Sequence, residues 1–189
     1  MKIFKILFFI FLFLYSESYS IEIKSLVKVD EKTITNIDLL KEIKFYEVIN
    51  KKKINQQDQR LILDQLIDQK IKYLETEKLK ININEKILKE KVKLNLNRYD
   101  DNIKNSKEIN DYVYNKFAIM MKWNSLITSI YAGKLEINTN EIKEKIKSNK
   151  LKKKDEENLI QLEKQKKINI LSKTHFNIIK SKYYIKYMK

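Results

Sequence analysis

Apolar residues recur at helical intervals through most of this chain and alternate with polar ones only near its two ends. From Ser25 to Ile34 the order is strand-like: Leu26-Val27-Lys28-Val29, then Thr33-Ile34, around the turn-forming Asp30-Glu31-Lys32. That alternation predicts a short strand or hairpin. Thr35 followed by Asp38 has the spacing of a capping box and opens a first helix over 36–50, with Ile37, Leu40, Ile43 and Phe45 as a broad apolar stripe. A polar link at 51–55 precedes a second helix over 58–79, where Leu63, Leu66, Ile67, Ile71 and Leu74 give the strongest helical period of the chain. Asn84 caps a third helix through Ile87, Leu88 and Val92, which fades into an Asn- and Asp-rich loop at 95–105.

The fourth helix is expected to be long, over 107–132, with Ile109, Tyr112, Val113, Phe117, Met120, Met121, Ile127 and Ile130 at helical intervals. Gly133 stands where a helix C-cap favours positive φ. Thr139 would cap a short fifth helix over 140–148, and a charged connection at 150–157 leads to a last helix ending near Lys180. The closing Tyr183-Tyr184-Ile185-Lys186-Tyr187 alternates like a strand. Its backbone groups need partners, and the other strand candidates lie at 25–34. The fold class expected is therefore mainly α: a multi-helix core with a short N-terminal strand or hairpin paired to a C-terminal strand.

The first residues change the picture of where this core works. Lys2 and Lys5 precede an apolar run at 6–15, and Ser18-Tyr19-Ser20 places small residues at the positions a signal peptidase inspects. A membrane anchor is the competing reading, but a spanning helix needs about 20 apolar residues and this run has about half that. The expectation is a signal peptide over 1–20, cleaved after Ser20, and a periplasmic core over 21–189 with no further membrane span. Cysteine is absent, so an exported chain of this kind has no disulfide framework and relies on helix packing.

The formal charge of +15 raises the question of a nucleic-acid partner. Against it, Arg60 and Arg98 are the only arginines, although arginine is the usual bidentate reader of phosphate and base edges. Lysine, asparagine, isoleucine and tyrosine abound while glycine and proline are nearly missing, which is the bias of AT-rich codons. No nucleic acid is expected.

Catalytic chemistry finds little material. His175 is the single histidine, so no histidine-based metal cluster or triad can form, and no glycine-rich phosphate loop exists. Carboxylates alternate with lysines at i, i+4 spacing, as in Glu141 with Lys145, the pattern of a solvated helix face. The chain reads as non-enzymatic and without cofactors. Adaptable apolar surface is the remaining candidate chemistry. Met120 and Met121, with Tyr112, Trp123 and Ile127 on the same helix, form the richest such cluster. Methionine suits contact with many shapes because its side chain is flexible and polarizable. These residues either pack the core or line a groove for a client chain. Two adjacent methionines point about 100° apart, so they cannot share one face.

Several segments together resemble the SurA-type periplasmic chaperones: VKVDEKTITNIDLLKEI at 27–43, LDQLIDQKIKYLETEKLKI at 63–81, INTNEIKEKIK at 137–147 and the closing YYIKY at 183–187. That family builds one helical domain from an N-terminal part (here 21–149) and a last helix plus strand (here 158–189). One or two parvulin prolyl-isomerase domains usually sit between them. Here the join at 150–157 has no room for one, and a single glycine would not serve the loops of such a β-rich domain. Glu31 and Lys32 also stand where the family often has glycine. The resemblance implies a holdase that binds unfolded outer-membrane proteins, or extended peptides, without isomerase activity. The alternative is a non-catalytic envelope assembly or structural partner of one specific protein.

Overall fold

The computed structural model describes residues 22–188 apart from 139, 141, 143, 145–147 and 149–154. Two strands, β1 (Ser25–Val29) and β2 (Lys32–Thr35), form an antiparallel hairpin. Asp30 makes the turn at φ 48°, a left-handed conformation that aspartate tolerates better than most residues. The pairing slips by one residue between Ser25 and Val27, so β1 is bulged at its entry. The third strand, β3 (Ile185–Tyr187), comes from the other end of the chain and pairs antiparallel with β1, giving the sheet order β2-β1-β3. Asp30 N–H donates to the Tyr184 carbonyl and Met188 N–H to the Leu26 carbonyl, both at 2.9 Å. The chain is thus mainly helical, with a small sheet joining its two ends.

The named helical elements among the described residues are α1 (Asn36–Asn50), α2 (Gln56–Lys78), α3 (Glu85–Leu96), the short turn α4 (Asp101–Lys104), α5 (Lys107–Ile130) and α6 (Asp155–Lys180). Side chains stop their ends as the sequence implies. Thr35 accepts from Asp38 N–H while Asp38 accepts from Thr35 N–H, a complete capping box. Asn55, Asn84 and Ser106 cap α2, α3 and α5. Lys51 ends α1 in the left-handed region at φ 51°.

Some boundaries differ from expectation. The loop expected at 95–105 contains α4, started by Asp100. Gly133 does not use positive φ: α5 ends at Ile130, its cap Tyr131 lies at φ −109°, and Ala132–Lys134 form a 3-10 turn instead. The last helix begins at Asp155, inside the expected connection, and β3 is confined to 185–187. Residues 140, 142, 144 and 148 are helical, and Ile142 is buried. The expected cap Thr139, most of the connection and the apolar run at 6–15 with its cleavage site lie outside the described residues.

Two apolar clusters hold the elements together. One joins the sheet to α2, α5 and α6 through Val27, Val29, Ile34, Ile67, Ile71, Trp123, Leu126, Ile127, Phe176 and Ile179. The other sits between α3 and α5 around Leu88, Val92, Leu96 and Val113, with Phe45 of α1 reaching in. Helix α5 is the shared wall, which is why its sequence is apolar on more than one face.

Candidate functional site

Of the five residues singled out on α5, the structure separates rather than assembles a surface. Trp123 and Ile127 are core residues, 3% and 0% exposed, and in this conformation offer nothing to a client. Their i, i+4 spacing aims both at α2 and α6, where Trp123 Nε1 donates to Ser172 Oγ at 2.8 Å and the indole meets Phe176 edge-on. Met121 packs on the α3-side cluster, and Met120, one position earlier, points to solvent away from it. The cluster expected from composition is therefore divided among three directions. Of the five, Tyr112 is the one that lines the hollows of the cleft between α1 and α5.

In that cleft the two backbones hardly approach each other, and long side chains bridge them. Phe45 and Tyr112 stack with centroids 3.9 Å apart, and Lys44 pairs with Glu108 at 3.0 Å. Below them Lys116 pairs with Glu42, whose carboxylate is 2% exposed. On one side of this bridge lies a groove of about 530 Å³ walled by α1, α2 and α5, among them Leu66, Gln69, Tyr73, Tyr112, Ala118 and Ile119. On the other lies a hollow of about 390 Å³ with Phe45, Val48, Ile109 and Tyr112. Lys41, Tyr112 and Asn115 border both, so the two hollows adjoin along α5 on either side of the bridge and together make up a furrow.

The polar floor of the furrow is tightly coupled. Burial lowers the Lys116 ammonium pKa below its ordinary value, and the Glu42 carboxylate only partly restores it. The same ammonium lies over the rings of Tyr112 (4.9 Å) and Tyr46 (5.9 Å), which adds cation–π attraction. Burial first and Glu42 second push the Tyr112 hydroxyl well above the usual tyrosine range. That hydroxyl is enclosed and makes no hydrogen bond of good geometry. Tyr46 is also raised, by burial and then by Glu42, and its hydroxyl donates to Gln65 Oε1 at 2.5 Å. Chemically the arrangement offers a furrow with aromatic and aliphatic walls and a fixed ionic floor. The Glu42 carboxylate and the Lys116 ammonium pair with one another across that floor.

Glu42, Lys116, Tyr46 and Tyr73 carry no signal in a composition-based reading. Glu42 does carry one in its spacing. It sits three residues after Leu39 and four before Tyr46, so it shares a helix face with apolar neighbours. The expected stripe of α1 is turned accordingly: Leu40 is 52% exposed and Glu42 is inside. His175 accepts or donates at 3.1 Å with the Tyr131 hydroxyl and stacks near Trp123, a packing position where burial lowers its pKa. Among the described residues no group of three or more histidine, cysteine or acidic side chains could hold a metal ion, and no helix is long and apolar enough to cross a membrane. No protein-family model and no curated protein sequence matches this chain.

Proposed function

We propose that this chain is a non-catalytic holdase of the SurA type, exported to the periplasm, where it binds unfolded outer-membrane proteins or extended peptides and keeps them from aggregating. The observation that carries the reading is the furrow between α1 and α5. It offers two adjoining hollows, its walls are aromatic and aliphatic, and long side chains rather than backbone packing set its width. An extended segment needs such a surface: apolar hollows for some side chains and polar rims for the peptide groups between them. The sheet that ties the two chain ends together supports the same reading, because the resemblance implies that layout. The furrow, rather than the five residues of the α5 cluster, is the site we assign to clients, with Tyr112 common to both.

The test is dilution of a denatured outer-membrane β-barrel protein into buffer with a several-fold molar excess of this protein, followed by light scattering. Suppressed scattering is expected, and the furrow variant Tyr73→Asp should lose most of the effect. Tyr73 is partly exposed at the groove wall, so the substitution spares the core. No suppression, together with recovery of one stoichiometric protein from envelope extracts, would replace this reading with the single-partner alternative.

A further inference from the structure

The helix α3 has two apolar faces, and only one of them is used by the fold. Leu88, Val92 and Leu96 are buried against α5, the one element with which α3 makes an extensive interface among the described residues. Ile87 and Leu94 are seven residues apart, which at 100° per residue puts them about 20° from one another round the axis. Both stand on the side facing away from α5, where Leu94 is 65% exposed and Ile87 43%. Lys91 lies about 50° from this ridge on one side and Lys86 and Lys93 about 90–110° on the other, and none of the three has an ion-pair partner among the described residues. Of the two acids on α3, Glu85 accepts a hydrogen bond from the Tyr114 hydroxyl, which leaves Glu90, about 50° from the ridge, against three lysines.

We propose that α3 docks the protein on an anionic membrane surface. Ile87 and Leu94 enter the headgroup layer, and Lys86, Lys91 and Lys93 engage lipid phosphates. Charge selects this occupant over the others. A second copy of the chain would bring two lysine rows together. A nucleic acid would satisfy the lysines but leave the apolar ridge without a partner, and α3 has no arginine for bidentate phosphate contacts. An anionic bilayer supplies both chemistries at the right depth: phosphate at the surface and an acyl boundary a few ångströms below it. The lysine stems can lie along that boundary while their ammonium groups stay among the phosphates. The helix would lie in the plane of the interface, which needs no spanning segment.

The experiment is co-sedimentation of the protein, in the form that accumulates in cells, with vesicles of phosphatidylglycerol and phosphatidylcholine or of phosphatidylcholine alone. Binding is expected on the anionic vesicles at low salt and should fade as salt is raised. Replacing Lys86, Lys91 and Lys93 together by glutamate should weaken partitioning on the order of 100-fold. The pair Ile87→Ser and Leu94→Ser should weaken it about tenfold. These are exposed positions, so the variants fold, and unchanged helical circular dichroism verifies it. Equal binding to both vesicle types would overturn the proposal, as would retention by either variant. Equally tight binding to a polyanion such as heparin, undiminished in the serine pair, would also overturn it by showing a charge-only surface.

Discussion

Replacing Lys116 by methionine breaks the most buried ion pair among the described residues. The Glu42 carboxylate it leaves behind is 2% exposed and has the Lys116 ammonium as its one ion-pair partner among the described residues. Breaking a buried pair from one side typically costs about 3–5 kcal/mol, because the remaining charge stays desolvated. The Lys116 side chain keeps a quarter of its surface in water, so water can reach the gap and the lower end, about 3 kcal/mol, is expected. Loss of the ammonium over Tyr112 and Tyr46 adds roughly 0.5–1 kcal/mol. For a domain of this size the combined loss of about 3.5–4 kcal/mol should lower the melting temperature by roughly 7–16 °C. Urea unfolding followed by circular dichroism gives the free energy directly. The double variant Glu42→Leu with Lys116→Met should recover to within about 1 kcal/mol of the parent, or exceed it, since no charge is then left inside. A single variant within about 0.5 kcal/mol of the parent would refute the reasoning, because Glu42 would then be reached by water after all. So would a double variant as unstable as the single one.

Three further outcomes follow from particular residues. Tyr112→Phe should change stability by less than about 1 kcal/mol at neutral pH, because the buried hydroxyl forfeits no well-formed hydrogen bond. In the folded state burial and Glu42 hold the Tyr112 pKa above its ordinary value of 10.0, so its contribution is present below pH 10 and is lost as pH rises beyond it; alkaline unfolding monitored by tyrosinate absorbance should therefore be shallower in Tyr112→Phe than in the parent. Ending the chain at Ser181 removes the bonds of Tyr184 and Met188 to Asp30 and Leu26 and the 3.0 Å bond from the Tyr183 hydroxyl to Glu75; a loss of at least about 3 kcal/mol is expected in the same urea assay, and a shift below about 1 kcal/mol would show that β3 is not part of the core. Gly133→Ala should be neutral or stabilising by roughly 0.4–1 kcal/mol in thermal melting, since its φ is not positive and nothing lies within 4 Å of an added Cβ.

Local rules carried most of the fold into the sequence. Thr35, Asn55, Asn84 and Ser106 are short polar side chains ahead of apolar periodic runs, and each caps the helix that follows it, because capping is decided within three residues. The strand at the C-terminus was legible for a different reason: unpaired backbone groups need a partner, and 25–34 was the available one. Neither rule says how a helix is rotated against its neighbours. That rotation put Glu42 inside and Leu40 outside on α1, sent Trp123 and Ile127 into the core, and turned Met120 to solvent. It also let Lys116 of α5 meet Glu42 across 74 positions of sequence. The cleft between α1 and α5 is likewise a property of two helix axes and not of either helix. Residue types and their spacing determined which segments are helical and where most of them stop. Which apolar residues became core and which became surface was decided by packing, because an amphipathic face is defined only by the element that covers it.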